Sequence, residues 1–457
     1  MFTSNVERES RIIMKTKVLI AISIGTFAFG ISFSSGLNAQ TSATLCAQID
    51  SIQIDLEAIR GLKFKQPVEC QKQSLEDFEG YLDRILHQQI PDRLIKNYGK
   101  IVKKLGLYRG PEIEDFREMA KMVMKSQAAA YYDPADETFF VVMQNLPAEM
   151  MSSVYAHELY HGLQDQHFDL QNYVLDQFGG KLNDDELLAR QAVVEGEATY
   201  IMTLWTMKKM FGTIPQRSML DMAIPMQANL DVSTILQMLK GGDVPQIPKG
   251  DMAKAVAAID SIPPFLLETL IGAYLKGMAF VFEIQKQGWE KVQNLYSRPP
   301  VSSEQILHPE KWLSNEQPYR LSLASFDDEP ALQEWEVVEA NTVGEIQWRI
   351  IFAEHGLAEA GKAAAAGWNG DAFAVLKHRS SEKLLLLIYS CWDSPSDAEE
   401  FHSTYLKLLK VKYQNEQENT DVRRQDGDVL IVEGASEGNL NALQEFLQKT
   451  GRNKTAD

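Results

Sequence analysis

Ala156-His157-Glu158-Leu159-Tyr160-His161-Gly162-Leu163-Gln164-Asp165 sets two histidines four residues apart, with a glutamate directly after the first. On a helix His157 and His161 project from one face, so both imidazoles reach a single Zn²⁺, while Glu158 lies about a quarter-turn round, near the open coordination position. Met150, Val154, His157, His161 and Asp165 keep the three-and-four spacing of one face, which makes the histidines part of an inward stripe. Pro147 suits the start of this helix, and Gly162 is tolerated inside it at about 1 kcal/mol relative to alanine. Two ordinary histidines on a helix would give the same short pattern. The metal reading therefore requires a further ligand elsewhere in the chain.

Downstream, a connection rich in Gln, Asp and Gly ends at Gly179-Gly180. Asn183-Asp184-Asp185-Glu186 then has the form of a capping box with acidic residues suited to the helix dipole, which predicts a helix starting there. Glu195 and Glu197 sit in the middle of its apolar section. Buried carboxylates are costly unless paired or bound to a cation, so zinc is a natural partner; ion pairing or solvent exposure is the alternative for either one. Gly196 is expected to let this helix approach the histidine helix closely. Upstream, Ala128 to Met143 holds two strand-like runs joined by Asp133-Pro134-Ala135-Asp136-Glu137, which predicts a β-hairpin. Beside the histidine helix, such a hairpin is either structural or a sheet edge that holds an extended peptide.

These motifs resemble those of the zincin superfamily of zinc metallopeptidases, nearest to the gluzincin, thermolysin-like pattern. His157-Glu158-Leu159-Tyr160-His161 matches the first motif, Asp165 falls four residues past the second histidine, and Glu195 in Val-Glu-Gly-Glu-Ala matches the glutamate on the following helix. The chain also resembles a group of secreted bacterial proteins with H-E-L-x-H-x-L-Q-D-Q-H and E-G-[DE]-A motifs, a similarity that extends through Gln305-Ile306-Leu307-His308-Pro309 and Gly367-Trp368-Asn369-Gly370-Asp371. The resemblance implies an open site in which His157, His161 and Glu195 hold Zn²⁺. A zinc-activated water then attacks a peptide carbonyl with Glu158 as general base. His308, in a Pro-bounded turn, is either a structural histidine or a donor to the oxyanion, a role a tyrosine could share.

The chain departs from that pattern in three places. Thr199 stands where the family often has an aspartate four residues after the ligand glutamate. The 34 residues from His161 to Glu195 exceed the thermolysin-like spacing and leave Glu197 open as the ligand. His167, six residues after His161, occupies the third-ligand position of metzincins. Gln164, however, stands where that pattern has its helix-ending glycine, and on a continuing helix His167 points away from the metal, so Glu195 is preferred. Two rival functions remain: an exported binding or scaffold protein that keeps a zincin fold, and a zinc amidase or esterase acting on small substrates.

The remaining sequence sets the frame. A chain of 457 residues with 45% hydrophobic content buries a large core, and a formal net charge of −18 argues against nucleic acid or an anionic membrane as partner. Met14-Lys15-Thr16-Lys17, the apolar run Val18 to Phe33 and a small residue at Ala39 have the parts of a signal peptide. The mature chain is therefore expected near Gln40, exported to the periplasm or the extracellular space, with no stable membrane insertion. An uncleaved anchor is the lesser reading, because the run is short for a span. Of three cysteines, Cys46 and Cys70 are free to pair in an oxidising compartment, and Cys391 lies in an apolar strand-like run. The eight methionines of residues 202–260 read as adaptable packing or an apolar specificity pocket.

The expected fold class is α+β. Residues 1–39 read as signal peptide and 40–127 as a helical region. Residues 128–313 read as a mostly helical, zincin-like catalytic region with a small sheet or hairpin beside the active-site helix. Residues 314–457 read as a smaller α+β domain with a frayed end from Gly451.

Overall fold

The computed structural model describes residues 46–454 except 90–91, 128, 143–147, 178–181, 231–233, 236, 238–261 and 415–416. The signal-peptide expectation for residues 1–39 lies outside the described residues. The architecture is α+β, mainly helical with small sheets.

The chain begins with α1 (Ile49–Arg60), β1 (Glu69–Gln73), α2 (Leu75–Gln89), α3 (Asp92–Leu105) and α4 (Phe116–Gln127). The hairpin follows as β2 (Ala130–Asp133) and β3 (Thr138–Val142), turned at Glu137 with φ 49°. β1 corrects the all-helical reading of this region: it pairs parallel to β3, giving a three-stranded sheet in the order β1-β3-β2. A disulfide between Cys46 and Cys70 ties the start of α1 to β1.

The histidine helix is α5 (Ala148–Phe168). The next long helix, α6 (Asp184–Phe211), starts with the full capping box: Asn183 accepts from the Glu186 N–H, and Glu186 accepts from the Asn183 N–H. It stops at Gly212, whose φ of 77° suits glycine. α7 (Arg217–Ala228), α8 (Pro264–Gln285) and α9 (Trp289–Ser297) complete the helical layer, α8 opening with proline at its first turn.

Gly196 does not face the histidine helix, as its sequence context suggested. It meets Gly277 of α8, where a Cβ on Gly196 would lie 2.1 Å from the Gly277 carbonyl carbon, and one on Gly277 would lie 2.0 Å from the Ala192 oxygen. Two glycines thus let α6 and α8 touch backbone to backbone.

After two short helices, Ser303–Leu307 and Pro309–Leu313, come β4 (Tyr319–Ser322), β5 (Trp335–Asn341), α10 (Gly344–Glu354), α11 (Ala358–Ala365), β6 (Trp368–His378), β7 (Leu384–Trp392), α12 (Pro395–Lys412), β8 (Thr420–Gln425), β9 (Asp428–Glu433), α13 (Leu440–Gln448) and β10 (Gly451–Lys454). Strands β5-β6-β7-β9-β8 form an antiparallel sheet. Its side chains alternate between two cores. Phe373, Val375, Leu386, Ile388, Val429 and Ile431 join the core of the helical layer, while Ala374, Leu376, Leu385, Leu387, Cys391 and Leu430 pack with Leu443, Phe446 and Leu447 of α13. The end expected to fray from Gly451 is instead paired, with β10 antiparallel to β4.

Where the sheet meets α6, Asp185 is buried and accepts the Ser303 N–H at 3.0 Å. Burial pushes its carboxyl up to about 8, against the pull of the Ser303 bond and with the charge of Asp371 adding to the rise. An unfolded aspartate releases its proton near pH 4. Folded-state stability at this site is therefore full in acid and lost as pH climbs from about 4 to about 8. Asp185→Asn keeps the acceptor without the charge. It is expected to raise the urea midpoint at pH 8.5 by about 1–3 kcal/mol equivalent and to leave it unchanged near pH 4; equal midpoints at both pH values would contradict the assignment.

Candidate metal centre

The 3.6-residue repeat of α5 brings His157 and His161 to one face, and α6 crosses behind them with Glu195 turned inward. His157 Nε2 lies 3.0 Å from His161 Nε2 and 3.2 Å from Glu195 Oε2, and His161 Nε2 lies 3.5 Å from the same oxygen. Ligands of a tetrahedral zinc at about 2.0–2.1 Å stand about 3.3 Å from one another. The three donor atoms thus fit the spacing that such an ion demands. All three side chains are buried.

Electrostatics agree with a site built for a cation. Burial drives the His157 imidazole down to about 4, with Glu195 partly offsetting it. Burial also lowers His161, but the Glu195 charge outweighs this and raises it to about 9. The Glu195 carboxyl, lifted by burial, is drawn down further by His161 and His157, to about 2. Without an ion, a proton on His161 supplies the positive charge. A metal bound there displaces that proton.

A polar network stands behind His161. Its Nδ1 faces Gln164 Oε1 at 2.7 Å; because that oxygen only accepts, Nδ1 carries a proton in either charge state, which leaves Nε2 as the nitrogen an ion would take. Gln164 Nε2 in turn donates to the Val194 carbonyl at 3.1 Å and to the Tyr296 hydroxyl at 2.7 Å. Tyr296 donates to Glu197, and Arg60 Nε reaches the other Glu197 oxygen at 2.7 Å and the Tyr160 hydroxyl at 3.0 Å. The Arg60 guanidinium also lies 4.4 Å over the Trp289 ring. Glu197 and Arg60 are both fully buried, a pairing whose rupture by loss of one partner costs about 3–5 kcal/mol.

The other sequence candidates fall elsewhere. Glu197 belongs to the Arg60 network and is not in the metal-ligand group, which comprises His157, His161 and Glu195. His167 is likewise outside it, its Nε2 facing the Lys63 carbonyl at 2.7 Å. Asp165 accepts from the Tyr132 hydroxyl at 3.0 Å and the Leu170 N–H at 2.9 Å, so it braces the hairpin rather than a histidine. His308 pairs with Glu345 of α10 at 3.1 Å, and that bond raises its pKa. Glu158 is fully buried beside His157, and its Oε2 accepts the Tyr132 N–H from β2 at 3.3 Å.

Sequence reading gave no role in the site to Tyr274, Gln164, Arg60 or Tyr296. Tyr274 of α8 stacks on His157, ring centroids 5.6 Å apart, and hydrogen-bonds Glu195. Burial, followed by the charges of Glu195 and Glu158, holds its hydroxyl far above the usual tyrosine range. Only Gln164 had a local signal, three residues after a ligand histidine. Another acidic group, Glu304, Glu316 and Asp393, has ligand-like spacing, but Lys311 Nζ already sits at its centre, 2.6, 2.8 and 2.7 Å from the three.

Comparison with known proteins gives one partial match. The model of a domain of unknown function, DUF8575, matches residues 333–444, which carry the five-stranded sheet and most of α13 and exclude the histidine helix. No curated protein and no solved structure matches the chain.

Proposed function

We propose that the chain is a zinc-dependent peptidase of the zincin type, with a gluzincin-like ligand set of His157, His161 and Glu195. The observation that carries this reading is the convergence of two Nε2 atoms and one carboxylate oxygen at 3.0–3.5 Å, with Glu158 on the adjoining residue. Zinc, when bound, supplies an electrophile that acidifies water and polarises a carbonyl. Glu158 takes the proton from the attacking water and returns it to the leaving amine. Tyr274 holds Glu195 in place through its hydroxyl, and Gln164 fixes the tautomer of His161.

β2 is the outer strand of its sheet, but all four of its residues are buried and the Tyr132 N–H on that edge already donates to Glu158, so an extended peptide would reach the general base along β2 only after that edge is uncovered. Export through the N-terminal segment belongs to the same proposal, supported by the Cys46–Cys70 disulfide, since such bridges persist in oxidising compartments.

Zinc per chain, measured by elemental analysis, tests the reading. About one zinc is expected in the unmodified protein and in His167→Ala, and almost none in Glu195→Ala. Loss only in His167→Ala would transfer the site to the metzincin pattern. An unmodified protein without zinc would remove the peptidase reading altogether.

A second reading rests on burial: His157 and Glu158 are both 0% exposed, as befits an ion that stabilises a scaffold. Zinc retention without cleavage of any member of a peptide library would favour it.

A further inference from the structure

A primary amide carries its oxygen and its NH₂ on opposite sides of one bond, so Gln164 can meet His161 in two ways. With the oxygen toward Nδ1, the ring donates there and Nε2 is left for an ion. With the NH₂ toward Nδ1, the ring must accept there, and the proton of the neutral imidazole moves to Nε2, which stands 3.0 Å from His157 Nε2 and is then closed to a metal. The choice is made on the far side of the amide. Gln164 Nε2 has three neighbours: the Val194 carbonyl at 3.1 Å, the Tyr296 hydroxyl at 2.7 Å and Glu197 Oε2 at 3.3 Å. The carbonyl and the carboxylate only accept. Tyr296 gives its proton to Glu197, so its oxygen also faces Gln164 as an acceptor. Glu197 is held in turn by Arg60 Nε at 2.7 Å. Gln164 and Glu197 are both 0% exposed, which keeps water from relaxing this order. His157 lacks such support: its Nδ1 has no hydrogen-bond partner among the described residues, and its ring is held by stacking on Tyr274.

We propose that Glu197 is a positioning residue for the metal centre: by taking the Tyr296 proton it directs the Gln164 amide, and through that amide it presents His161 Nε2 to the ion. The inference rests on the reading of His157, His161 and Glu195 as metal ligands, and it holds whatever chemistry the bound ion performs. It gives the two carboxylates of Glu195-Gly196-Glu197 separate tasks, one facing the ion and the other acting from behind His161. Replacing Glu197 by glutamine reverses the chain of donors. The new amide keeps an oxygen for Arg60 Nε and donates to the Tyr296 oxygen; Tyr296 then donates toward Gln164 and draws the amide oxygen away from His161, opposed by the Val194 carbonyl alone. A carboxylate at position 164 is indifferent to that reversal, since both its oxygens accept. Exchanging the two groups, Gln164→Glu with Glu197→Gln, therefore turns the bonds through Tyr296 around and still leaves an acceptor for His161 Nδ1.

The test titrates zinc into the metal-free full chain against a chelating indicator, with the urea midpoint of each variant measured beside it. Glu197→Gln is expected to bind zinc about 10–100-fold more weakly than the unmodified chain. The exchanged pair is expected to recover most of that loss, although it carries the same change at position 197; a residue that only supports the fold would show no such rescue. If Glu197→Gln fails to fold because Arg60 is left without its counter-charge, Arg60→Met is added to both variants, which removes the buried charge and leaves Tyr296 in place. Unchanged zinc affinity in Glu197→Gln, at whatever stability, would overturn the proposal. An exchanged pair as weak as the single variant would overturn it too, leaving Glu197 as framework. An unmodified chain that binds no zinc would bring down the ligand reading and this inference with it, a result told from the other two because it shows before any substitution is made.

Discussion

Glu158→Gln is expected to keep zinc at the unmodified stoichiometry while lowering hydrolysis of an unfolded protein substrate by about 10²–10⁴-fold. Glutamine retains the shape of the side chain and an oxygen to accept the Tyr132 N–H, so β2 keeps its place beside α5. It cannot take a proton from water near neutral pH. The three donors that meet at 3.0–3.5 Å are untouched, so metal retention is the internal control. Parallel measurements of zinc content and cleavage rate separate the outcomes. Unchanged cleavage would remove Glu158 from the chemistry, whereas loss of zinc would make it part of the site's framework.

Gly277→Val is expected to be the most destabilising single substitution in the helical layer. Its Cβ would lie 2.0 Å from the Ala192 carbonyl oxygen, and backbone cannot move aside as a side chain can. α8 must then separate from α6, at a cost of about 3 kcal/mol or more, near the upper range for overpacking. Separation also draws Tyr274 from His157 and Glu195, so zinc affinity is expected to fall together with stability. Gly272→Ala on the same helix is the matched control. A Cβ there meets nothing within 4 Å, and replacing a mid-helix glycine is expected to be neutral or to stabilise by about 0.5–1 kcal/mol. Urea denaturation of the two variants decides the matter; equal stability would refute the close crossing.

Local rules made much of the chain legible. The capping box at Asn183 gives the start of α6 because side chain and backbone satisfy each other within four residues. The hairpin and the buried strands β6, β7 and β9 follow from β-branched, aromatic and leucine-rich runs bounded by turns. β1 was not legible: Glu-Cys-Gln-Lys-Gln has no alternation, and most of its residues are exposed. It is a strand only because β3 offers a ladder beside it. β10 likewise exists through β4.

The site divides along the same line. Sequence alone determined that His157 and His161 share a face with Glu158 beside them, because helical periodicity fixes neighbours three and four apart. The sequence left both Glu195 and Glu197 open as the ligand, although residues two apart on a helix lie about 200° apart, so only one of them turns toward the imidazoles. Which one was a tertiary decision. α6 lies against α5 with Glu195 facing the imidazoles, while Arg60, 137 residues before Glu197, claims the other carboxylate. Tyr274 and Tyr296 enter from α8 and α9 for the same reason. No local rule links residues so far apart, and their meeting is set by how helices pack, here by two glycines that let backbones touch.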